Sequence, residues 1–303
     1  MPIKIPNGLP AISVLSSEGV FVMTEDRAVH QDIRPLDLLF LNLMPKKINT
    51  EIQYMRRLSN TPLQVNITLM RIDDHIPRNT PLEHLQTFYK SFEEVREKFF
   101  DGMIITGAAL DQMPFSAVKY WQKLRDIILW SSNHVTSTLF SCWAVAAALK
   151  IFYDMEMIER REKLSGIFPE HISHSVDTLI RGFDDTFLAP HSRFIDFPYN
   201  AIRRETDLQI LAEGEESGVY LAVSPYRRQV YITGHPEYDA TTLADEYRRD
   251  LKSGKNPRIP VNYFPHNDPS RMPSCVWRSH ASILFSNWLN YYVYQSTPYD
   301  FTL

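Results

Sequence analysis

The segment STLFSCWAVAAALKIF, residues 137–152, decides the fold of this 303-residue chain. Its first part, STLFS, is typical of a short buried strand, whereas AVAAALKIF has the apolar pattern of a buried helix. Cys142 lies where the two parts meet. A strand that leads directly into a helix is the repeating unit of an α/β sheet. The segment therefore predicts an α/β fold with Cys142 at a strand–helix junction.

The same alternation of short apolar strands and helices precedes this segment. The predicted strands are residues 36–43, 65–72 and 101–106, and the predicted helices are residues 49–57, 93–98 and 118–130. Apolar runs of this length suit strands that are buried on both faces. The pattern predicts a doubly wound sheet.

The C-terminal half has a less regular pattern. Its predicted elements are strands at residues 219–223 and 229–233, a hairpin turn across residues 225–228, helices at residues 241–251 and 277–294, and an ordered loop at residues 252–273. No repeat, low-complexity tract or long polar linker divides the chain. We therefore expect one domain that spans residues 1–303.

Composition and charge exclude several classes of protein. The net charge is −4, and the basic residues are interleaved with acids, which argues against nucleic acid as a partner. No apolar run is long enough to span a bilayer, and no signal peptide pattern is present at the start. Two distant cysteines, Cys142 and Cys275, do not suggest a disulfide framework. We expect a reduced, cytoplasmic protein without membrane partners.

Three residues suggest nucleophilic chemistry. A thiol at the start of a helix is favoured as a thiolate by the nearby amides, although a lone cysteine in an apolar run is more often an inert core residue. His235 follows a predicted strand in the run GHPEYDA, and Glu237 comes two residues later. A carboxylate that orients one ring nitrogen leaves the other nitrogen as a base for Cys142. Together the three residues predict a Cys–His–Glu catalytic set.

Long sequence blocks resemble the homoserine O-acyltransferase family of methionine biosynthesis. They are LNLMPKK, FSCWAVAAAL, LSGIF, RGFDDTFLAPHSR, TGHPEYDA, NYFPHNDP and WRSHASILFSNWLNYYVYQSTPYD. The resemblance implies a flavodoxin-like fold similar to that of class I glutamine amidotransferases. It also implies acyl-CoA and L-homoserine as substrates. On either side of Cys142, at the predicted strand–helix junction, Phe140 and Ala144 occupy positions where the amidotransferases have glycines.

The resemblance also assigns roles to individual residues. Cys142 would carry the acyl group as a thioester, with His235 as base and Glu237 as its orienting acid. Three further positions match family residues that contact substrate, namely Lys163, Ser192 and Arg249. For the oxyanion we expect backbone donors at the carboxyl ends of strands, namely the amides of Trp143, Gly107 and Ala108.

The identity of the acyl group depends on position 111, with Ser192 also assigned to acyl specificity. In the family, glutamate at this position goes with acetyl-CoA and glycine with succinyl-CoA, whereas this chain has Asp111. A buried anion would repel the distal carboxylate of succinate. This favours acetyl-CoA, and succinyl-CoA remains the alternative because the rest of the sequence resembles succinyl-using members.

Other functions on the same fold stay open. A glutaminase would use the same Cys–His–Glu set, and a non-catalytic regulatory protein would not need it. His171 and His174 lack a third metal ligand nearby, and no phosphate-binding glycine loop is present. We therefore expect no metal and no cofactor other than the co-substrate acyl-CoA. Aromatic residues in the C-terminal tail suggest a homodimer.

Overall fold

One sheet of twelve strands organises the structure. The computed structural model describes residues 3–18, 22–24, 35–72, 80–173, 176–224, 226 and 228–297. In chain order the strands are β1 (Ile3–Ile5), β2 (Val22–Thr24), β3 (Leu36–Leu41), β4 (Val65–Met70), β5 (Tyr89–Lys90), β6 (Phe100–Ile105), β7 (Val135–Ser141), β8 (Ile158–Ile172), β9 (Thr186–Asp196), β10 (Gln209–Gly214), β11 (Gly218–Ser224) and β12 (Gln229–Ile232).

Helices pack on both faces of this sheet. They are α1 (Ala11–Ser17), α2 (Lys47–Leu58), α3 (Leu82–Phe88), α4 (Trp121–His134), α5 (Trp143–Tyr153), α6 (Tyr199–Glu205), α7 (Thr242–Lys252) and α8 (Arg278–Asn287). Helix α8 continues directly into a π-helical segment, Trp288–Tyr294. No helix in the described part of the chain is long and apolar enough to cross a membrane.

The order of the strands divides the sheet into two halves. The spatial order is β2-β1-β4-β3-β6-β7-β12-β11-β10-β8-β9, and β5 pairs with β4. Every pair from β2 to β12 is parallel. Strands β11, β10, β8 and β9 continue the sheet with antiparallel pairs. We call these four strands the antiparallel wing.

Alternate residues of the central strand β3 enter two different apolar cores. Leu38 and Phe40 belong to the core that α2 and α8 cover, whereas Leu39 and Leu41 belong to the core that α4 and α5 cover. Successive side chains of a strand point to opposite faces. The sheet is therefore buried on both faces, which explains why β3 is almost entirely apolar.

The structure confirms most of the predicted elements and corrects one. The predicted strands correspond to β3, β4, β6, β7, β11 and β12, each with bounds within two residues. The predicted helix at residues 93–98 is wrong, since this segment forms turns. Ser91 and Glu94 exchange hydrogen bonds as at a helix start. However, Val95 is the only buried residue of segment 93–98, so no packed apolar face stabilises a helix there.

In the second half, the predicted hairpin of β11 and β12 is confirmed as an antiparallel pair. Its turn residues Pro225 and Arg227 lie outside the described residues. The long strands β8 and β9 and the shorter β10 were not predicted. A register shift interrupts the pairing of β8 with β9: Glu159 pairs with Ile195, and the next pair joins Leu164 to Arg193. Strand β8 thus advances five residues while β9 advances two, so β8 carries a bulge of three extra residues.

Candidate active site

The site lies at the edge of the sheet where the central parallel strands end. Strands β7 and β12 are parallel neighbours, with Ser141 opposite Ile232, and β6 lies on the other side of β7. Parallel strands end at the same edge, and ligands bind there in open α/β sheets. The residues that follow these three strands, Gly107, Cys142 and His235, therefore meet at this edge.

Cys142 forms a sharp turn between β7 and α5, as the sequence predicts. Its backbone angles are φ 50° and ψ −116°, in a region that residues with a Cβ atom rarely adopt. The Cys142 amide donates to the Ile232 carbonyl at 2.8 Å, and the Cys142 carbonyl accepts from the Val145 amide at 2.9 Å. These bonds hold the buried thiol at the start of the eleven-residue helix α5.

His235 connects Cys142 to Glu237. The His235 Nδ1 atom lies 2.7 Å from Glu237 Oε1, and the ring is close enough to Cys142 for the thiol to shift the pKa of the histidine. Because Glu237 occupies Nδ1, the nitrogen that faces the thiol is Nε2. The Tyr238 ring stacks on the imidazole with 4.1 Å between centroids, and the His235 amide donates to the Pro190 carbonyl at 2.8 Å. The imidazole is thus fixed on several sides.

The charge of His235 depends on its two partners. Burial favours the neutral ring, but the charges of Cys142 and Glu237 outweigh burial, so the pKa of His235 lies well above its ordinary 6.5. Glu237 is itself buried, and its Oε2 atom has no hydrogen-bond partner among the described residues. The arrangement can accept a proton at Nε2 and hold the resulting imidazolium against a carboxylate.

Backbone amides surround the thiol on its other side. A Cβ atom on Gly107 would lie 3.1 Å from the Cys142 Cβ and 3.6 Å from the Trp143 nitrogen. The loop after β6 therefore packs against the turn between β7 and α5. Among the described residues, the amides of Gly107 and Ala108 donate to no protein acceptor. The loop and the start of α5 can therefore direct free donors toward one point near the sulfur.

A cavity of about 320 Å³ opens over Cys142. Most of the predicted site residues line it, namely Gly107, Ala108, Asp111, Cys142, Lys163, Ser192, His235 and Arg249. Glu237 and Trp143 do not line it: Glu237 lies behind His235, and the Trp143 side chain is fully buried in the core. The antiparallel wing contributes Lys163 from β8 and Ser192 from β9.

Glu246, on α7, binds three side chains of this cavity. Its Oε2 atom accepts from Lys163 Nζ at 2.8 Å and from the Ser192 hydroxyl, and its Oε1 atom accepts from the Tyr238 hydroxyl at 2.9 Å. Burial opposes the charge, but Lys163 and Ser192 outweigh it, and the pKa of Glu246 is lower than usual. Glu246 thus connects two predicted substrate-binding residues to the tyrosine that stacks on His235.

Arg249 and Asp111 each make one strong contact within the chain. The Arg249 guanidinium is half-exposed at the cavity and lies 3.0 Å from Asp250 Oδ1. Asp111 accepts a hydrogen bond of 2.9 Å from the Phe194 amide, which fixes its carboxyl group on the cavity wall. Burial raises the pKa of Asp111, and the Phe194 amide partly offsets that effect.

A second buried polar network lies beside the site. His191 Nε2 lies 2.8 Å from Glu170 Oε1, and Ser217 donates to Glu170 Oε2 at 2.9 Å. The Arg193 guanidinium donates to His191 Nδ1, to the Ser217 carbonyl and to the Ile195 carbonyl. Burial, and after it the charge of Arg193, keeps the pKa of His191 well below 6.5. This histidine is neutral and carries its hydrogen on Nε2.

Sequence reasoning missed Glu246 and Tyr238. A signal for Glu246 was present, since it lies three residues before Arg249 in a predicted helix and so on the same helical face. Tyr238 stands in the GHPEYDA run beside the predicted catalytic residues. Nothing in the sequence alone indicated that both would meet at one carboxylate.

Within the part of the chain that the structure describes, no group of three or more His, Cys, Asp or Glu residues could hold a metal ion. His174, the second residue of the H-x-x-H pattern, lies outside that part. Cys142 and Cys275 are both free thiols.

Comparison with known families decides what kind of protein carries this site. The family model described as homoserine O-succinyltransferase matches residues 2–299. The chain belongs to the homoserine O-succinyltransferase family. Its members are acyltransferases, and the predicted resemblance to the homoserine O-acyltransferases is therefore confirmed.

Two relatives of this homoserine O-acyltransferase carry different donor names. A protein of Succinatimonas hippei named homoserine O-acetyltransferase is 72% identical over 299 residues, which cover 99% of each chain. A protein of Tolumonas auensis named homoserine O-succinyltransferase is 60% identical over 300 residues, which cover 99% of this chain and 95% of the relative. The substrates are thus homoserine and an acyl donor.

Solved structures show the fold of this homoserine O-acyltransferase. A glutamine amidotransferase from Methylobacillus flagellatus is similar with a TM-score of 0.52 and 11% identity, over 86% of this chain and 95% of that chain. Another, from Thermotoga maritima, has a TM-score of 0.50 and 12% identity, over 85% of this chain and 98% of that chain. The predicted amidotransferase-like α/β fold is confirmed.

Proposed function

We propose that this homoserine O-acyltransferase works in two steps through an acyl thioester on Cys142. The observation that carries the proposal is that Cys142 and His235 line the same cavity while Glu237, behind His235, holds the imidazole through Nδ1. Such an arrangement activates a weak nucleophile. We place the reaction in methionine biosynthesis, as the family resemblance implies.

In the first step, His235 Nε2 accepts the thiol proton, and the Cys142 sulfur attacks the thioester carbonyl of acyl-CoA. The carbonyl oxygen becomes an oxyanion, for which the amides of Gly107, Ala108 and Trp143 are the donors that we propose. Collapse of this intermediate breaks the bond to CoA. The departing CoA thiolate takes the proton back from His235, and an acyl–Cys142 thioester remains.

In the second step, L-homoserine enters the same cavity. His235 accepts the proton of its hydroxyl, the oxygen attacks acyl–Cys142, and the proton returns to the Cys142 sulfur as the ester leaves. Glu246 already holds Lys163 and Ser192 in place, and its Oε1 atom has capacity for one more donor, which suits the substrate ammonium. Arg249 would take the substrate carboxylate in competition with Asp250.

For the acyl donor we propose acetyl-CoA, with succinyl-CoA as the alternative. Asp111 supports acetyl-CoA, because its carboxyl group is fixed on the cavity wall by the Phe194 amide. A succinyl group would place a second carboxylate beside Asp111. The two negative charges would repel each other unless one of the carboxylates took up a proton, and either outcome disfavours binding. The 72% identical relative bears the acetyl name, whereas the 60% identical relative bears the succinyl name.

The proposal extends to the whole chain. We propose one acyltransferase domain over residues 1–303 that acts in the cytoplasm and needs no cofactor other than its co-substrate. The exposed Tyr294 at the end of the aromatic tail is consistent with the homodimer that we also propose.

The test is intact mass spectrometry of the purified protein after mixing with acetyl-CoA or succinyl-CoA, with and without L-homoserine. We expect one added acyl group, lost when homoserine is present. Cys142→Ala should abolish the adduct, while the control Cys275→Ala, which changes the other free thiol, should keep it. An adduct of succinyl mass alone would reverse the choice of donor.

A glutaminase assay on the same preparation tests the alternative that the fold suggests. The mechanism fails if the protein releases ammonia from glutamine and neither acyl-CoA gives an adduct or free CoA. A protein that shows neither reaction would instead be a binding or regulatory member of the fold.

A further inference from the structure

Three grooves open from the catalytic cavity, and they differ in charge. The groove beside Asp111 contains one basic and three acidic side chains, and the groove between α2 and α7 contains three basic and four acidic side chains. The third groove has a volume of about 400 Å³ and contains five basic against three acidic side chains. We call it the basic groove; its basic residues are Arg160, Arg161, Lys163, Lys255 and Arg258.

The bulge in β8 explains this concentration of charge. Regular strands send successive side chains to opposite faces. The three extra residues of β8 lie between Glu159 and Leu164, where pairing with β9 is interrupted. As a result Arg160, Arg161 and Lys163 all line the same groove. Bulges next to active sites commonly redirect side chains in this way.

Two of the five cations have no acidic partner among the residues that the structure describes. Arg160 pairs with Asp196, Lys163 with Glu246 and Arg258 with Glu162. By contrast, no carboxylate of the described residues lies within ion-pair distance of Arg161 or Lys255, and both side chains are exposed. Cations without partners are available to an anionic ligand at little cost in broken contacts.

The basic groove is continuous with the catalytic cavity. Lys163, Phe194, Asp250 and Lys255 line both spaces. Lys255 therefore stands at the junction, while Arg161 and Arg258 lie in the groove and do not line the cavity. A ligand with a reactive end at Cys142 and an anionic end in the groove would pass between Phe194 and Lys255.

We propose that the basic groove binds the 3′-phosphorylated ADP portion of the acyl-CoA donor, with Arg161 and Lys255 as phosphate ligands. The proposal rests on the proposed function, which requires an acyl-CoA. The diphosphate and the 3′-phosphate make this portion strongly anionic, so it favours the one groove with net positive charge. The uncharged pantetheine arm then reaches from the junction at Lys255 to the thiol.

The test compares two donors that differ in the nucleotide. Arg161→Glu and Lys255→Glu are assayed with acetyl-CoA or succinyl-CoA, whichever the unmodified protein consumes, and with the corresponding S-acylpantetheine. Losing one charge-assisted contact should raise KM for the acyl-CoA about tenfold in each variant. The kcat/KM with S-acylpantetheine should change less than about twofold, since that donor makes no phosphate contact.

Arg204→Glu is the matched control, because Arg204 is an exposed arginine on α6 that lines none of the three grooves. Its KM for acyl-CoA should stay that of the unmodified protein. An unchanged KM in both Arg161→Glu and Lys255→Glu would overturn the proposal. So would an equal loss with both donors, because that pattern would place the effect in the catalytic cavity.

A binding measurement separates failure of this proposal from failure of the proposed function. Adenosine 3′,5′-bisphosphate, which carries the phosphates without the acyl group, is titrated by calorimetry into the unmodified protein and into Arg161→Glu. We expect binding that weakens about tenfold in the variant. If the protein consumes no acyl-CoA, the proposed function fails, and this titration still decides whether the groove binds the nucleotide.

Discussion

Two buried histidine–glutamate pairs lie on neighbouring segments of the sheet, and the pKa values of their histidines are shifted in opposite directions. In the pair His235–Glu237, the second ring nitrogen faces the Cys142 thiol, and the pKa of the histidine lies well above 6.5. In the pair His191–Glu170, the second ring nitrogen faces the Arg193 guanidinium, and the pKa of the histidine lies well below 6.5. The segments touch where the His235 amide meets the Pro190 carbonyl.

The difference lies in the third partner. Both histidines are almost completely buried, and both have a glutamate oxygen within 2.8 Å. A thiol can become an anion and thereby stabilise an imidazolium, whereas a guanidinium is always a cation and prevents one. A buried histidine–glutamate pair is therefore no indication of catalysis unless the group on the far side of the ring can accept or release charge.

The largest expected effect is a difference in kcat between variants of the two glutamates, Glu237 and Glu170. Glu237→Gln removes the carboxylate that holds the His235 tautomer and should lower kcat by about 10³- to 10⁴-fold. The matched change Glu170→Gln alters a residue that does not line the cavity and should lower kcat by less than about fivefold. Steady-state kinetics measures both variants. Similar losses in the two would show that the pairs are not functionally distinct.

The next effect concerns stability. Arg193→Met leaves His191 Nδ1 and the Ser217 and Ile195 carbonyls without their donor. Removing one partner of such a buried charged network should lower the free energy of unfolding by about 3–5 kcal/mol. Urea unfolding measures it, with the exposed Arg204→Met as control. A change below about 1 kcal/mol would mean that the network contributes little to the fold.

The smallest effect is a pH dependence from Glu170, whose pKa burial raises from 4.5 to about 8, against the smaller opposing effects of Ser217 and Arg193. Between these values the folded protein holds a proton that the unfolded chain releases. Its contribution to stability is therefore complete below 4.5 and is lost as the pH rises through about 8. The free energy of unfolding should fall by about 2 kcal/mol from pH 6 to pH 8 relative to Glu170→Gln. Parallel curves for the two proteins would contradict this.

The parallel half of the fold could be predicted, because its strands are buried on both faces and appear as unbroken apolar runs. The start of β8 could not, because the sequence IERREK is charged and its residues are mostly exposed. Its strand geometry follows from pairing with β9, a contact that no local pattern encodes. The segment 93–98 has helix-forming residues but forms turns, because only Val95 is buried and no apolar face packs against the sheet.

The candidate site likewise contains residues that could be predicted from the sequence and residues that could not. Cys142, His235 and Glu237 follow strands of the parallel half, so their meeting could be predicted from where those strands end. For Glu246 the sequence shows only that it shares a helical face with Arg249, because ADEYRRD otherwise resembles a solvated helix face. Its contacts with Lys163 and Ser192 depend on the antiparallel wing. The roles of all these residues stay predictions until the adduct and kinetic measurements are made.

The backbone turn at Cys142 also has an evolutionary consequence. Its φ of 50° is one that glycine adopts freely and that a residue with a Cβ atom adopts only at a cost of about 1–3 kcal/mol. Folding alone would thus select glycine at this position. In a descendant of this chain that no longer needed the thiol, replacing Cys142 by glycine would increase stability. A cysteine at this position therefore indicates that chemistry is favoured over stability.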